Sequence, residues 1–156
     1  MKRALAFVVN GEPRDLVVDT RRSLLDVLRD PLGLFGAHRG CDSGDCGACT
    51  VLRDGAPVAA CLTLAVECDG AEIVTVEGIT PARGLHPVQE ALVRLGGIQC
   101  GFCTPGMVMS AVALLGENPA PSVDEVRRAL AGNLCRCTGY AKIVEAVMAG
   151  AEVGVP

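Results

Sequence analysis

Gly40-Cys41-Asp42-Ser43-Gly44-Asp45-Cys46-Gly47-Ala48-Cys49-Thr50 is the stretch around which this 156-residue chain is arranged. Its three cysteines are spaced C-x4-C-x2-C, and Cys61 follows to complete a set of four. A second set lies downstream, with Cys100 and Cys103 as C-x2-C and Cys135 and Cys137 as C-x-C. Only Cys68, between Glu67 and Asp69, stands outside both patterns and reads as a structural thiol. Close cysteine pairs and an odd total suit metal ligation better than a disulfide framework.

Four thiolates hold zinc or iron equally well by count, so spacing has to choose. Zinc sites usually come as two close pairs. Here three cysteines share one glycine-rich loop and the fourth is distant, which is the plant-type spacing for a 2Fe–2S cluster. Gly40, Gly44 and Gly47 permit the tight turns that bring backbone N–H groups towards the sulfurs. Asp42 and Asp45 read as solvated turn formers, or as charges that set the field at the cluster edge. The second set fits a cluster or zinc; beside a plant-type site, the cluster reading leads.

Composition narrows the function. Net charge is −4 and aromatic residues make up 3% of the chain, with no basic run or aromatic-interleaved patch, so nucleic acid is not an expected partner. The apolar run near Met1 is ended early by Asn10-Gly11 and reads as a first strand, not a signal segment. The longest apolar helical stretch, Met107 to Leu115, is too short to span a membrane. A cytoplasmic location follows from the metal-bound reading of the cysteines. Neither site offers a general base or an open ligand position. His38 and His86 lack metal or triad partners in sequence: His38 reads as a hydrogen-bonding or surface residue, His86 as a helix start. Ser43 and Ser110 have no base, and no phosphate-binding glycine motif occurs. The expected role is one-electron transfer without substrate binding.

Local signals give an α+β chain in two parts. Strands Ala4 to Val9 and Asp15 to Val18 flank the Asn10-Gly11 turn. A helix from Ser23 to Asp30 follows, capped by Ser23. Thr50 to Arg53 and Val58 to Leu62 form a hairpin about Asp54-Gly55, carrying Cys61, and Ile73 to Val76 forms a further strand. This order is that of a β-grasp plant-type ferredoxin domain, residues 1–78. Residues 78 to 85 read as a connection. The second part, residues 79–156, is an all-helical four-helix 2Fe–2S domain. Its helices run from His86 to Leu95, from the Thr104-Pro105 cap, from the Ser122/Glu125 capping box, and from about Ala141 to Met148.

Three blocks carry a wider resemblance: Gly40 to Val51, Gln99-Cys100-Gly101-Phe102-Cys103-Thr104-Pro105-Gly106-Met107, and Gly132-Asn133-Leu134-Cys135-Arg136-Cys137-Thr138-Gly139-Tyr140. In this order the chain resembles the small iron–sulfur subunit of the molybdenum hydroxylases, the xanthine dehydrogenase, carbon monoxide dehydrogenase, aldehyde oxidoreductase and 4-hydroxybenzoyl-CoA reductase group. The resemblance implies cluster one on Cys41, Cys46, Cys49 and Cys61, and cluster two on Cys100, Cys103, Cys135 and Cys137. It implies a large subunit with a molybdopterin cofactor and a medium subunit with FAD, with this chain relaying electrons between them. It also places Gln99 and Cys137 against the pterin. Two other readings stand beside it: a free-standing two-cluster ferredoxin and a zinc-stabilised interaction module.

Overall fold

The computed structural model describes residues 1–154. Strands β1 (Lys2–Val9) and β2 (Glu12–Asp19) pair antiparallel across a two-residue turn. Both turn residues have left-handed backbone, Asn10 at φ 53° and Gly11 at φ 80°. That turn matches the right-handed twist of the two strands, and asparagine and glycine reach it at little cost. Pro13 pairs with Val8 within β2. It is tolerated because β2 is the edge of a five-stranded sheet ordered β2-β1-β5-β3-β4.

Helix α1 (Leu24–Arg29) starts at a capping box in which the Ser23 hydroxyl accepts from Asp26 N–H and the Asp26 carboxylate accepts from Ser23 N–H. It lays Leu24, Leu25, Val27 and Leu28 on the sheet, where they join Leu5, Phe7, Val9, Val51 and Ile73 in one core. Strands β3 (Thr50–Arg53) and β4 (Ala56–Ala59) form the second hairpin. Strand β5 (Glu72–Val74) inserts between β1, to which it is parallel, and β3, to which it is antiparallel.

Two expected strand ends fall short. β4 ends at Ala59, so Cys61 lies in the turn beyond the strand. β5 ends at Val74, because Thr75 turns the chain into the short helix α2 (Val76–Ile79). Thr75 is held there by Asn10, whose side-chain oxygen accepts from Thr75 N–H at 2.8 Å and whose amide donates to the Thr75 hydroxyl at 2.9 Å.

The rest is helical: α3 (Pro87–Arg94), α4 (Thr104–Glu117), α5 (Val123–Ala129) and α6 (Ala141–Val153). Ser122 and Glu125 form the expected capping box. Thr104 is the first helical residue of α4, not its cap; Cys103 holds the cap position without a side-chain cap bond. α6 runs five residues past Met148, its alanines and valines keeping the helix intact to Val153. Val88, Leu92, Met107, Val108, Leu115, Val126, Ile143 and Val147 form the helical core.

α4 is buried nearly all round, Met107, Val108, Met109, Ala111, Ala113 and Leu115 included. A helix with no polar face must be covered on every side. One side faces the other helices. The other, through Met109 and Ala113, packs on Leu52 of β3 in a third apolar cluster that joins sheet to helices.

Candidate metal centres

The eight cysteines outside Cys68 come together as two groups at the loops that adjoin α4. In the first loop, left-handed backbone at Asp42, Gly44 and Gly47 curls the chain inward. The N–H groups of Ser43 and Cys46 both donate to Cys41 Sγ at 3.4 Å. Cys49 is buried at the start of β3 and lies against Cys61, with Cys46 nearby. Hydrogen bonding from Ser43 and from the Cys46 N–H pulls the Cys41 thiol down to about 6. Burial pushes Cys49 up to about 11. The loop is fastened from outside by Arg39, which donates to Asp42 at 2.8 Å and bridges to Asp26 of α1. Asp42 is thus ion-paired, not merely a solvated turn former, and Asp45 accepts from the Ser43 hydroxyl.

In the second group, Cys100 and Cys137 are exposed and lie against each other, while Cys103 and Cys135 are half-buried and form the other pair. Burial drives Cys103 up to about 12. Burial also works on Cys135, but the Thr138 hydroxyl and N–H outweigh it and bring that thiol down to about 7. Gln99 is exposed in the bend before Cys100.

Among the described residues no three His, Cys, Asp or Glu side chains converge as they would about a single metal ion. The thiols instead pair as Cys49 with Cys61, Cys100 with Cys137 and Cys103 with Cys135. Two thiolates per metal is the arrangement that an all-cysteine binuclear iron–sulfur group requires. Hydrogen bonds already aimed at Cys41 and Cys135 are the kind that orient thiolates and offset their charge. The donor set therefore fits two 2Fe–2S clusters.

The two groups are tied together by residues that cysteine counting passes over. Leu134 N–H donates to the Cys46 carbonyl at 2.9 Å, so one hydrogen bond joins a first-group cysteine to the residue before Cys135. Asn133, 3% exposed, donates to Gly47 O at 2.9 Å and to the Thr50 hydroxyl at 3.2 Å, and accepts from the Ser110 hydroxyl at 2.7 Å. Across the other side, His38 Nδ1 bonds the Phe102 carbonyl at 2.8 Å and its ring stacks on Phe102 at 4.9 Å. Sequence leaves His38 as a hydrogen-bonding or a surface residue, and the structure shows the bond; its partner, 64 residues away, carries no sequence signal. Asn133, Thr138 and Tyr140 sit inside the cysteine blocks, and a polar residue beside paired ligands was the one available hint.

Two groups of cysteines whose donor set fits 2Fe–2S clusters, tied together by hydrogen bonds, place this chain in the class of iron–sulfur electron carriers. Comparison with known proteins gives the particular family. Residues 7–77 match the 2Fe-2S iron-sulfur cluster binding domain, and residues 75–148 match the 2Fe-2S binding domain that follows it. The nicotine 6-hydroxylase small subunit of Paenarthrobacter nicotinovorans is 54% identical over 140 residues, covering 90% of this chain and 84% of that one. The aldehyde oxidoreductase iron-sulfur-binding subunit of Escherichia coli K12 is 46% identical, over 92% of this chain and 69% of the other. A chain of quinoline 2-oxidoreductase from Pseudomonas putida 86 superposes with a TM-score of 0.94 at 48% identity, covering 97% and 95%. This chain belongs to the family of small 2Fe–2S electron-transfer subunits of the molybdenum hydroxylases.

Proposed function

We propose that Cys41, Cys46, Cys49 and Cys61 hold the first cluster, and Cys100, Cys103, Cys135 and Cys137 the second, in domains of residues 1–78 and 79–156. The observation that carries this is the pairing of the thiols, Cys100 with Cys137 and Cys103 with Cys135 above all. A 2Fe–2S group supplies one-electron exchange at a potential set by its surroundings. The chain's own residues do the rest. Buried Cys49 and half-buried Cys103 anchor each group to a core. The Leu134–Cys46 hydrogen bond and the His38–Phe102 pair hold the two groups in register.

Exposed Cys100 and Cys137, with exposed Gln99 beside them, form the end that would face the molybdopterin of the large subunit. Gln99 would hydrogen-bond the pterin edge and Cys137 would be both ligand and point of contact. Exposed Cys41 marks the end directed to FAD or another acceptor. The relatives are named for nicotine, nicotinate, caffeine and aldehyde chemistry, so the choice of substrate belongs to the large subunit. Nine cysteines with no disulfide among them fit a reducing cytoplasm, and no helix among the described residues is long and apolar enough to cross a membrane.

Metal analysis of anaerobically purified enzyme tests the assignment. Iron and acid-labile sulfide should appear in equal amounts, two of each per cluster. Stoichiometric zinc in their place would overturn it and leave a zinc-stabilised module.

A further inference from the structure

The Cys135 loop contains a closed ring of hydrogen bonds that ligation alone does not require. Cys135 N–H donates to the Tyr140 hydroxyl at 2.8 Å. Tyr140 N–H donates to the Thr138 hydroxyl at 3.2 Å. That hydroxyl lies 3.1 Å from Cys135 Sγ, and Thr138 N–H adds a longer contact to the same sulfur at 3.5 Å. The direction of the third link follows from ligation: a metal-bound thiolate has no proton to give, so the Thr138 hydroxyl donates to Cys135 Sγ while accepting from Tyr140 N–H.

The ring has a conformational cost. Tyr140 sits at φ 68°, in the left-handed region that a bulky residue rarely adopts. That backbone turn accompanies both Tyr140 links, its N–H to Thr138 and its hydroxyl to Cys135. Strain of this kind persists where the surrounding structure over-determines it. In the first group Cys41 Sγ receives the backbone N–H groups of Ser43 and Cys46, and the Ser43 hydroxyl gives its proton to the Asp45 carboxylate.

Resting on the ligand assignment above, we infer that Thr138 is a positioning residue that raises the reduction potential of the second cluster relative to the first. Reduction adds one electron, and part of the added negative charge falls on the thiolate sulfurs. A hydroxyl proton aimed at Cys135 favours that reduced form over the oxidised one. Charge-assisted donors of this type are stronger than neutral ones, and hydrogen bonds to sulfur are among the determinants of cluster potential. Because the donor is a side chain, it can be removed without altering the loop's backbone donors. Tyr140 holds it in place.

The test is a redox titration of the holoenzyme followed by EPR, with the two reduced clusters read separately. Thr138→Val should lower the midpoint of the second cluster by about tenfold in its one-electron equilibrium, about 59 mV, and leave the first unmoved. Thr138→Ser, which keeps the hydroxyl, should restore the wild-type value. Unchanged midpoints in a fully loaded Thr138→Val enzyme would overturn the inference, as would an equal shift of both clusters. If Thr138→Val and Thr138→Ala both failed to load a second cluster while Thr138→Ser loaded it, the hydroxyl would be an assembly element, and the tuning role would fall. Zinc in place of iron in the wild type would instead remove the ligand assignment itself, so the two failures are distinguishable.

Discussion

Asn133 shows how much one uncharged side chain can hold. Its amide donates to Gly47 O and Thr50 while its oxygen accepts from Ser110, all within buried surroundings. Asn133→Ala would leave the buried Ser110 hydroxyl without its acceptor, at about 1 to 3 kcal/mol for a polar group left unsatisfied, while Gly47 O and the Thr50 hydroxyl keep their bond to each other. We expect the loaded protein to lose about 1 to 3 kcal/mol in denaturant unfolding. His86 makes the second residue-scale case. Its Nδ1 accepts from Val88 N–H at 3.2 Å and caps α3, while its buried Nε2 has no hydrogen-bond partner among the described residues. Burial pushes the imidazole pKa below its ordinary 6.5. The unfolded chain then binds a proton that the folded chain refuses. Stability is fully present above pH 6.5 and falls as pH drops below it, by at most about 1.4 kcal/mol per pH unit for one proton. Thermal unfolding across pH 5 to 7.5 should show this slope, and His86→Asn, which retains a capping side chain, should flatten it.

At the scale of the element, α4 offers two glycines with opposite expectations. In an exposed helix interior, alanine is better than glycine by about 1 kcal/mol. Gly116 is free to follow that rule, since a Cβ there would meet nothing within 4 Å. Gly106 is not: its Cβ would lie 2.2 Å from Gly47 O, a backbone atom of the first cysteine loop. Gly47 meets the same joint from the other side, where a Cβ would lie 2.3 Å from Gly132 O. Gly116→Ala should therefore raise the melting temperature slightly. Gly106→Ala should lower it and reduce iron occupancy in the first group, because helix and loop must separate to admit the methyl. A melting temperature unchanged or raised by Gly106→Ala would show that the joint is looser than its atoms suggest.

For the whole molecule, two small cores are each too small to be comfortable alone, and the joint about α4 makes them support one another. Cluster binding adds to both, since metal affinity for a folded site is folding free energy. In the assembled enzyme, Cys135→Ser should abolish the second cluster's EPR signal and leave the first largely intact. Hydrogen exchange should rise in α3 to α6 and stay low in β1, β5 and α1. Loss of both signals together would mean that the two halves do not load independently.

What could be read without coordinates was whatever local chemistry dictates. The turn at Asn10-Gly11, the caps at Ser23 and Ser122 and the paired cysteines each depend on neighbours a few residues away. Strand and helix ends were less legible: Cys61 falls outside β4, and Val76 leaves the sheet because Asn10, 65 residues from Thr75, captures that residue's N–H. Long-range partners decided the rest. Cysteine spacing sorts eight of the nine thiols into the two sets proposed as ligands. Only folding brought Leu134 to Cys46, Asn133 to Gly47 and His38 to Phe102, because those bonds exist when α4 packs against both the sheet and the helices. Spacing along the chain specifies which atoms can hold iron; closure of the chain in space sets how the two centres stand to each other.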